Sequence, residues 1–154
     1  MAKYVATGYQ TGMSNNVDDA PLQITVNAST AHRIKVFEVL FGCAGSPADN
    51  SIRWVVQRCS AVGTSGGSAL TPPPLDPADA AARSVVLEEM EGVTETANTE
   101  FLDFQLNQRA SFRWVAAPGA EIAVPATVNH GLFVAALHSS VTVGVRGQML
   151  FEEG

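Results

Sequence analysis

The sequence predicts an all-β protein: an antiparallel, jelly-roll-like β-sandwich of about eight strands, with one short helix in a crossover loop. Three observations predict this class. Apolar and polar residues alternate over most of the chain, turn residues separate the alternating runs, and only one segment has the residues of a helix start. The 154 residues, 46% of them hydrophobic, are enough for one domain with its own core.

The chain begins with a segment that we expect to be a polar arm, at residues 1–20, followed by a single sandwich domain at 21–154. Glycine, serine, asparagine and aspartate give the arm many ways to turn and leave it few apolar side chains to bury. Arms of this kind are disordered alone or become ordered against a neighbour. We therefore expect the arm to take part in contacts with a partner.

The predicted strands follow one another at short intervals. Residues 33–42 are rich in β-branched and aromatic side chains, which is typical of a central strand. In the next strand Trp54 and Val56 face one way and Val55 faces the other. In chain order the strands are predicted at 22–26, 33–42, 52–62, 85–91, 100–107, 132–138 and 141–151, with a hairpin between the fifth and the sixth.

Residues 108–131 have the pattern of that β-hairpin. Phe112 and Trp114 alternate with polar residues along its first strand. Pro118-Gly119 is a turn pair, and residues 121–124 alternate again after it. The pattern predicts two strands that pair with each other across the turn.

Three segments are predicted not to be strands. The one helix is expected at 77–83, because Asp76 can cap its free N–H groups and Pro77 fits its first position. The segment 63–68, rich in glycine and serine, and the polar segment 92–99 are expected to be loops.

Residues that could carry chemistry are scattered along the chain. His32, His130 and His138 lack the tight His-x-His spacing of a cupin metal site, and Cys43 and Cys59 fit no zinc motif. Whether the two cysteines form a disulfide stays open. No GxSxG elbow occurs, and the carboxylates have sufficient roles at the helix start and on solvated faces. We therefore predict no enzyme activity, no catalytic residue, no metal and no cofactor.

Composition limits the partners that we expect. The net charge of −6 comes without any run of lysine or arginine, which argues against a nucleic acid partner. No apolar stretch approaches the length that spans a bilayer, and the N-terminus lacks a signal-peptide pattern, so we expect no membrane partner and synthesis in a cytoplasm. Charged residues are only 16% of the chain, which is consistent with a surface that a partner partly covers.

Several segments resemble a group of tailed-phage virion proteins, the small capsid-associated jelly rolls. The resemblance covers about residues 32–151 and consists of turn and strand patterns without a chemical signature. The segments are GSPADN at 45–50, WVVQRC at 54–59, LDPAD at 75–79, NQRASFRWVA at 107–116, Pro118-Gly119, Glu121-Ile122, Pro125-Ala126-Thr127, Asn129 and Gly131.

The resemblance implies a decoration, or cement, protein on the outer surface of a phage capsid, made in the host cytoplasm. Such proteins are commonly homotrimers, and they hold neighbouring subunits of the major capsid protein together through linked contacts. Because the arm is polar and the surface sparsely charged, we expect contacts with the capsid or with a second subunit at Tyr4, Tyr9, Asn15 and Asn16.

Two other functions stay open. The chain can be a phage tail or receptor-binding β-sandwich module, in which an exposed Trp54 or Trp114 stacks on host glycans. It can also be a cupin-type enzyme, which requires that the three histidines converge on a metal.

Overall fold

The alternating sequence folds into strands, which the computed structural model describes for residues 1–12, 16, 19–29, 31–138, 140 and 143–154. Within these residues there are eleven strands and no helix, and every strand pairing is antiparallel. The strands are β1 Lys3–Gln10, β2 Leu22–Thr25, β3 Ile34–Ala44, β4 Ser51–Ala61, β5 Ser65–Leu70, β6 Val85–Glu91, β7 Thr94–Asn107, β8 Ser111–Val115, β9 Ile122–Val124, β10 Gly131–Leu137 and β11 Gly144–Glu153.

Two sheets pack face to face. Sheet 1 has the order β1-β11-β3-β8, with β9 also paired to β3, and sheet 2 has the order β5-β6-β2-β10-β4-β7. Four sets of pairings are nested: β1 with β11, β2 with β10, β3 with β8 and β9, and β4 with β7. The pairs β3–β11 and β4–β10 join these sets into the two sheets, and β6 and β5 extend sheet 2 beyond β2. This nesting is the connectivity of a jelly roll. The predicted fold class, a jelly-roll-like sandwich, is confirmed.

The inner faces of the two sheets form the main core. Trp54 of sheet 2 stacks on Phe41 of sheet 1, with ring centroids 4.5 Å apart. Along β4, Trp54 and Val56 face this core, whereas Val55 joins Phe133 in a second apolar cluster. The predicted division of the β4 faces is therefore confirmed.

The helix predicted at 77–83 is wrong. Asp76 does act as a turn residue, because its Oδ1 accepts the Ala78 N–H at 2.9 Å and its carbonyl accepts the Asp79 N–H at 3.0 Å. The chain then leaves the turn, and its backbone groups bind elsewhere: the Arg83 N–H donates to the Glu153 carboxylate. A helix this short nucleates poorly, so such tertiary hydrogen bonds prevail over the local signal.

The arm predicted at 1–20 is wrong over residues 3–10. These residues form β1, which pairs with β11 over eight consecutive positions. Tyr4 and Ala6 face the main core and are buried. The glycine and threonine of this strand obscured its alternation of apolar and polar residues. The strand is stabilised by its pairing with β11 and not by the strand propensity of its own residues.

The segment 108–131 is not a hairpin. The turn at Pro118-Gly119 exists, and Gly119 has the positive φ of 84° that favours glycine. However, β8 pairs with residues 38–42 of β3 and β9 pairs with residues 34–36 of the same strand. The chain therefore makes a loop and continues along β3 in its former direction.

Both segments that were predicted as loops contain strand. Residues 65–68 belong to β5, which pairs with β6, and residues 94–99 begin β7. The signals were misleading because Gly66 and Gly67, with φ of 68° and 78°, serve an irregular strand and not a free loop.

Candidate interaction surface

Two free strand edges lie on the same side of the sandwich. β7 is the last strand of sheet 2 and β8 is the last strand of sheet 1. A tight turn joins them, closed by a hydrogen bond of 2.9 Å from the Ala110 N–H to the Asn107 carbonyl. We call these two strands the open side.

A seam of apolar side chains lies between the two edges. Phe104 of β7 and Phe112 of β8 are in contact, with ring centroids 4.6 Å apart, and both rings pack on Phe41 at 5.7 and 5.5 Å. The seam, which packs on the main core while each member stays only partly buried, consists of Leu102, Phe104, Leu106, Phe112 and Trp114. Partial exposure of a contiguous apolar set is typical of a surface that meets a partner.

Charged pairs flank this seam on both strands. Arg53 binds Asp103 through two hydrogen bonds of 2.8 and 2.6 Å, and Arg113 binds Glu38 through two of 2.7 and 2.9 Å. The hydrogen bonds from the arginines lower the pKa of Asp103 and of Glu38. In both pairs the arginine is well exposed, 44% for Arg53 and 62% for Arg113, so the pairs orient the arginines more than they stabilise the fold.

The opposite side of the sandwich is covered by the connection between β5 and β6. This connection runs along β1, where the Val5 N–H donates to the Pro73 carbonyl at 3.2 Å and the Leu75 N–H donates to the Lys3 carbonyl at 2.7 Å. The hydroxyl of Tyr4 donates to the Ala80 carbonyl at 3.0 Å. Residues 72–74 are prolines, which have no N–H and therefore cannot recruit a further strand. We call β1 and this connection the covered side.

The end of the covering connection meets a buried polar group that the sequence did not suggest. The Ser84 hydroxyl donates to Glu153 Oε1 at 2.6 Å and lies 3.0 Å from His32 Nε2. The same carboxylate accepts the backbone N–H groups of Arg83 and Ser84. His32, Ser84 and Glu153 are 2%, 8% and 5% exposed.

This Ser-His-Glu group does not have the arrangement of a catalytic triad. In a triad the histidine stands between the serine and the carboxylate, whereas here the serine hydroxyl stands between them and donates its hydrogen bond to Glu153. Burial raises the pKa of Glu153, but the hydrogen bonds from Ser84 and Arg83, together with His32, outweigh it and hold that pKa below its ordinary value. The group therefore reads as an ionised anchor for the covering connection.

The residues that were predicted to contact a partner differ in their exposure to solvent. Tyr4 is 3% exposed and its ring stacks on Phe151, so it belongs to the core. Tyr9 lies on the other face of β1, partly exposed, with the Arg146 guanidinium 4.8 Å from its ring centroid. Asn16 is exposed, and Asn15 lies outside the described residues.

The residues of the alternative functions do not gather into a site. Trp54 is 1% exposed, which removes it as a glycan-stacking platform. Among the residues that the structure describes, no three histidine, cysteine or acidic side chains lie where they could hold a metal. Cys43 and Cys59 are free thiols, and burial raises the pKa of Cys59 to about 11.

In the described part of the chain, no helix has both the length and the apolar character needed to cross a membrane.

Comparison with known proteins gives no relative. No family model, no curated protein and no solved structure matches this chain. The two sides of the sandwich are therefore the structural observations from which a function can be proposed.

Proposed function

We propose that this chain is a decoration protein of a tailed-phage head, which binds the outer capsid surface as a homotrimer and links neighbouring major capsid protein subunits. The observation that carries the proposal is the open side: two free strand edges that flank a partly exposed apolar seam. The resemblance of about residues 32–151 to capsid-associated jelly rolls supplies the identity of the partner.

Self-association follows from the chemistry of the open side. β7 has 14 residues and one unpaired edge, and a long free edge beside apolar side chains tends to pair with another chain. A head-to-tail contact that closes into a ring occupies the open side of every copy, whereas an open chain of contacts leaves ends. In a ring of three copies, the free edges of β7 and β8 are covered by the neighbouring copies, and the other surfaces remain free to bind the capsid.

The capsid contact is proposed at the end of β1 and the segment that follows it. Tyr9 and Asn16 expose side chains there, and Asn15 remains a prediction of the same contact. Tyr4 is not part of it, because that side chain is buried in its own chain. A trimer with one such contact per copy binds two or more capsid subunits at once, so each bound copy raises the effective concentration of the others.

The decisive experiment locates the chain on particles. We expect electron microscopy of purified virions, with an antibody against this chain, to show copies on the outer shell in icosahedral proportion. A few copies confined to the tail would overturn the proposal in favour of a receptor-binding module. Absence of the chain from virions would overturn both functions.

A second experiment tests the contact residues. Tyr9→Ala is expected to weaken co-sedimentation with undecorated capsids at least tenfold, because an aromatic side chain in an interface contributes more than about 1.4 kcal/mol. Thr127→Ala, an exposed loop substitution, serves as the control. Equal binding by both variants would exclude Tyr9 from the contact.

A further inference from the structure

One end of the sandwich opens into a depression that is lined by charged, hydroxyl and apolar side chains. It has a volume of about 700 Å³. We call it the mouth, and the lining residues that matter here are Arg33, Arg58, Ser60, Thr96 and His130. They come from β4 and β7 of sheet 2 and from the loops beside these strands, and Ala123 of β9 adds a residue of sheet 1, so the mouth exists only in the assembled fold.

Arg58 lies where a core residue is expected. Along β4 the inward positions are Ile52, Trp54 and Val56, and Arg58 is the next in the series. Its register confirms this direction, because Arg58 pairs with Leu132 of β10, which faces the main core. The guanidinium is thus carried by a rigid central strand and directed into the mouth.

The surroundings hold this guanidinium in place without neutralising it. Its plane lies over the Phe101 ring, 4.6 Å from the centroid, and its Nη2 donates to the Ala123 carbonyl at 2.8 Å. Its Nε is buried and has no hydrogen-bond partner. A buried N–H of a charged group without an acceptor is costly, and an oxyanion removes that cost.

Arg33 is the second cation of this lining. Among the described residues, neither Arg33 nor Arg58 forms an ion pair with a carboxylate. Glu95 is the one acidic residue that lines the mouth, in a chain with 15 acidic and 9 basic residues. Two arginines and one glutamate thus give the mouth a positive local charge, although the whole chain has a net charge of −6.

The part of the lining beside β4 is shaped by an irregular stretch of the neighbouring strand β7. The register between β4 and β7 shifts three times between Val56 and Ala61. The Thr96 carbonyl accepts hydrogen bonds from Gln57 Nε2 and from the Thr99 hydroxyl, which fixes the bulged segment. Bulges of this kind commonly re-aim side chains beside binding sites.

We propose that the mouth is a binding site for an oxyanion, a carboxylate or phosphate group that the guanidinium groups of Arg58 and Arg33 hold, with the Ser60 hydroxyl as a further donor. The anion has two sources with the same chemistry: a free inorganic anion, or an acidic side chain of a protein partner. This site belongs to the isolated chain and does not depend on the decoration role.

The test uses the intact protein at constant ionic strength. Sodium phosphate and the peptide acetyl-Gly-Glu-Gly-amide are titrated separately, and binding is followed by calorimetry and by the NMR signal of the arginine Nε–H groups. We expect saturable binding with a shift of the Arg58 Nε–H signal. Tighter binding of the peptide assigns the natural anion to a partner side chain, and tighter binding of phosphate assigns it to a free anion.

Variants make the result specific to the mouth. Arg33→Gln, at an exposed position, is expected to weaken binding at least tenfold, and Arg58→Lys to weaken it further because the fork of donors is lost. Arg146→Gln is the matched control, since Arg146 is also exposed and also lies over an aromatic ring, on Tyr9. Failure of both probes to saturate, or equal loss in Arg33→Gln and Arg146→Gln, would overturn the proposal.

Discussion

The two sides of the sandwich end in different ways. On the covered side, β1 is closed by the proline segment at 72–74, and the neighbouring edge strand β5 is short and irregular, with Glu89 at a φ of 52° opposite its glycines. On the open side, β7 and β8 are free and the seam between them is only partly buried.

This difference shows which strand edges are kept from pairing with another chain and which are not. Proline, short strands and irregular geometry are the usual means of keeping an edge from pairing with another chain. The proline segment covers one side alone among the described residues, because on the open side β8 is also short, with five residues, and β7 also shows register shifts, yet no segment lies over either edge. The open side is therefore the surface whose protection depends on a partner, and the four predictions below test that contrast.

The largest effect is expected at the anchor of the covered side. Glu153→Gln removes the charge and places an amide N–H₂ against the N–H donors of Arg83 and Ser84, so we expect the free energy of unfolding in urea to fall by about 3 kcal/mol. The control is Glu152→Gln, which breaks the more exposed pair with Lys35 and should lose less than about 1 kcal/mol. Equal losses would show that Glu153 does not anchor the connection.

The same anchor predicts a dependence on pH. The pKa of Glu153 in the folded chain lies below its ordinary value of 4.5, so the unfolded chain binds the proton more readily. The stability that Glu153 contributes is therefore fully present above about pH 5 and is lost as the pH falls through the folded-state pKa. Unfolding in urea between pH 3 and 7 measures it, and Glu153→Gln should show a shallower fall than the unaltered chain. Parallel curves would contradict this.

On the open side, the expected effect is on association and not on folding. Val115 of β8 is 51% exposed, and Val115→Lys is expected to weaken self-association at least tenfold, which corresponds to about 1.4 kcal/mol. Light scattering during gel filtration measures this, with a trimer expected at about three times the chain mass of 16.2 kDa. Val128→Lys, at a loop position that is 40% exposed, is the matched control. If both variants associate like the unaltered chain, the open side is not the interface.

The smallest effect is expected from one hydrogen bond of the covering connection. Tyr4→Phe removes the bond to the Ala80 carbonyl and keeps the stacked ring, so the free energy of unfolding should fall by about 1 kcal/mol. Tyr9→Phe, on the outer face of the same strand, should change it by less than about 0.5 kcal/mol. A larger loss in Tyr9→Phe would reverse the roles assigned to the two tyrosines.

The errors of the sequence-based predictions share a cause. The proline-initiated turn at Asp76 and the turn at Pro118-Gly119 are both real, so the local chemistry was interpreted correctly. What failed was the inference about the next segment, because a helix at 77–83 and a hairpin at 108–131 depend on partners elsewhere in the chain. β1 was missed for the same reason, because residues 3–10 become a strand through their pairing along β11, at the other end of the chain.

The candidate sites were even less visible. His32 and Ser84 are 52 residues apart in sequence, and Ser84 and Glu153 are 69 apart. Only Arg58 had a local signal, as a charged residue in the inward series of β4, and that signal becomes meaningful only when the neighbouring strands show which face is inward.

By itself the sequence determined that this is an all-β protein, that the strand at 33–42 is central, between β11 and β8, and which face of β4 enters the core. Apolar and polar residues alternate with a period of two in a strand, so a segment of a few residues shows the pattern and no other part of the chain is needed to interpret it. Only the tertiary structure decided which edges are covered, which remain free, and which buried charges meet. Those outcomes depend on contacts between residues far apart in the chain, and a local pattern does not specify them.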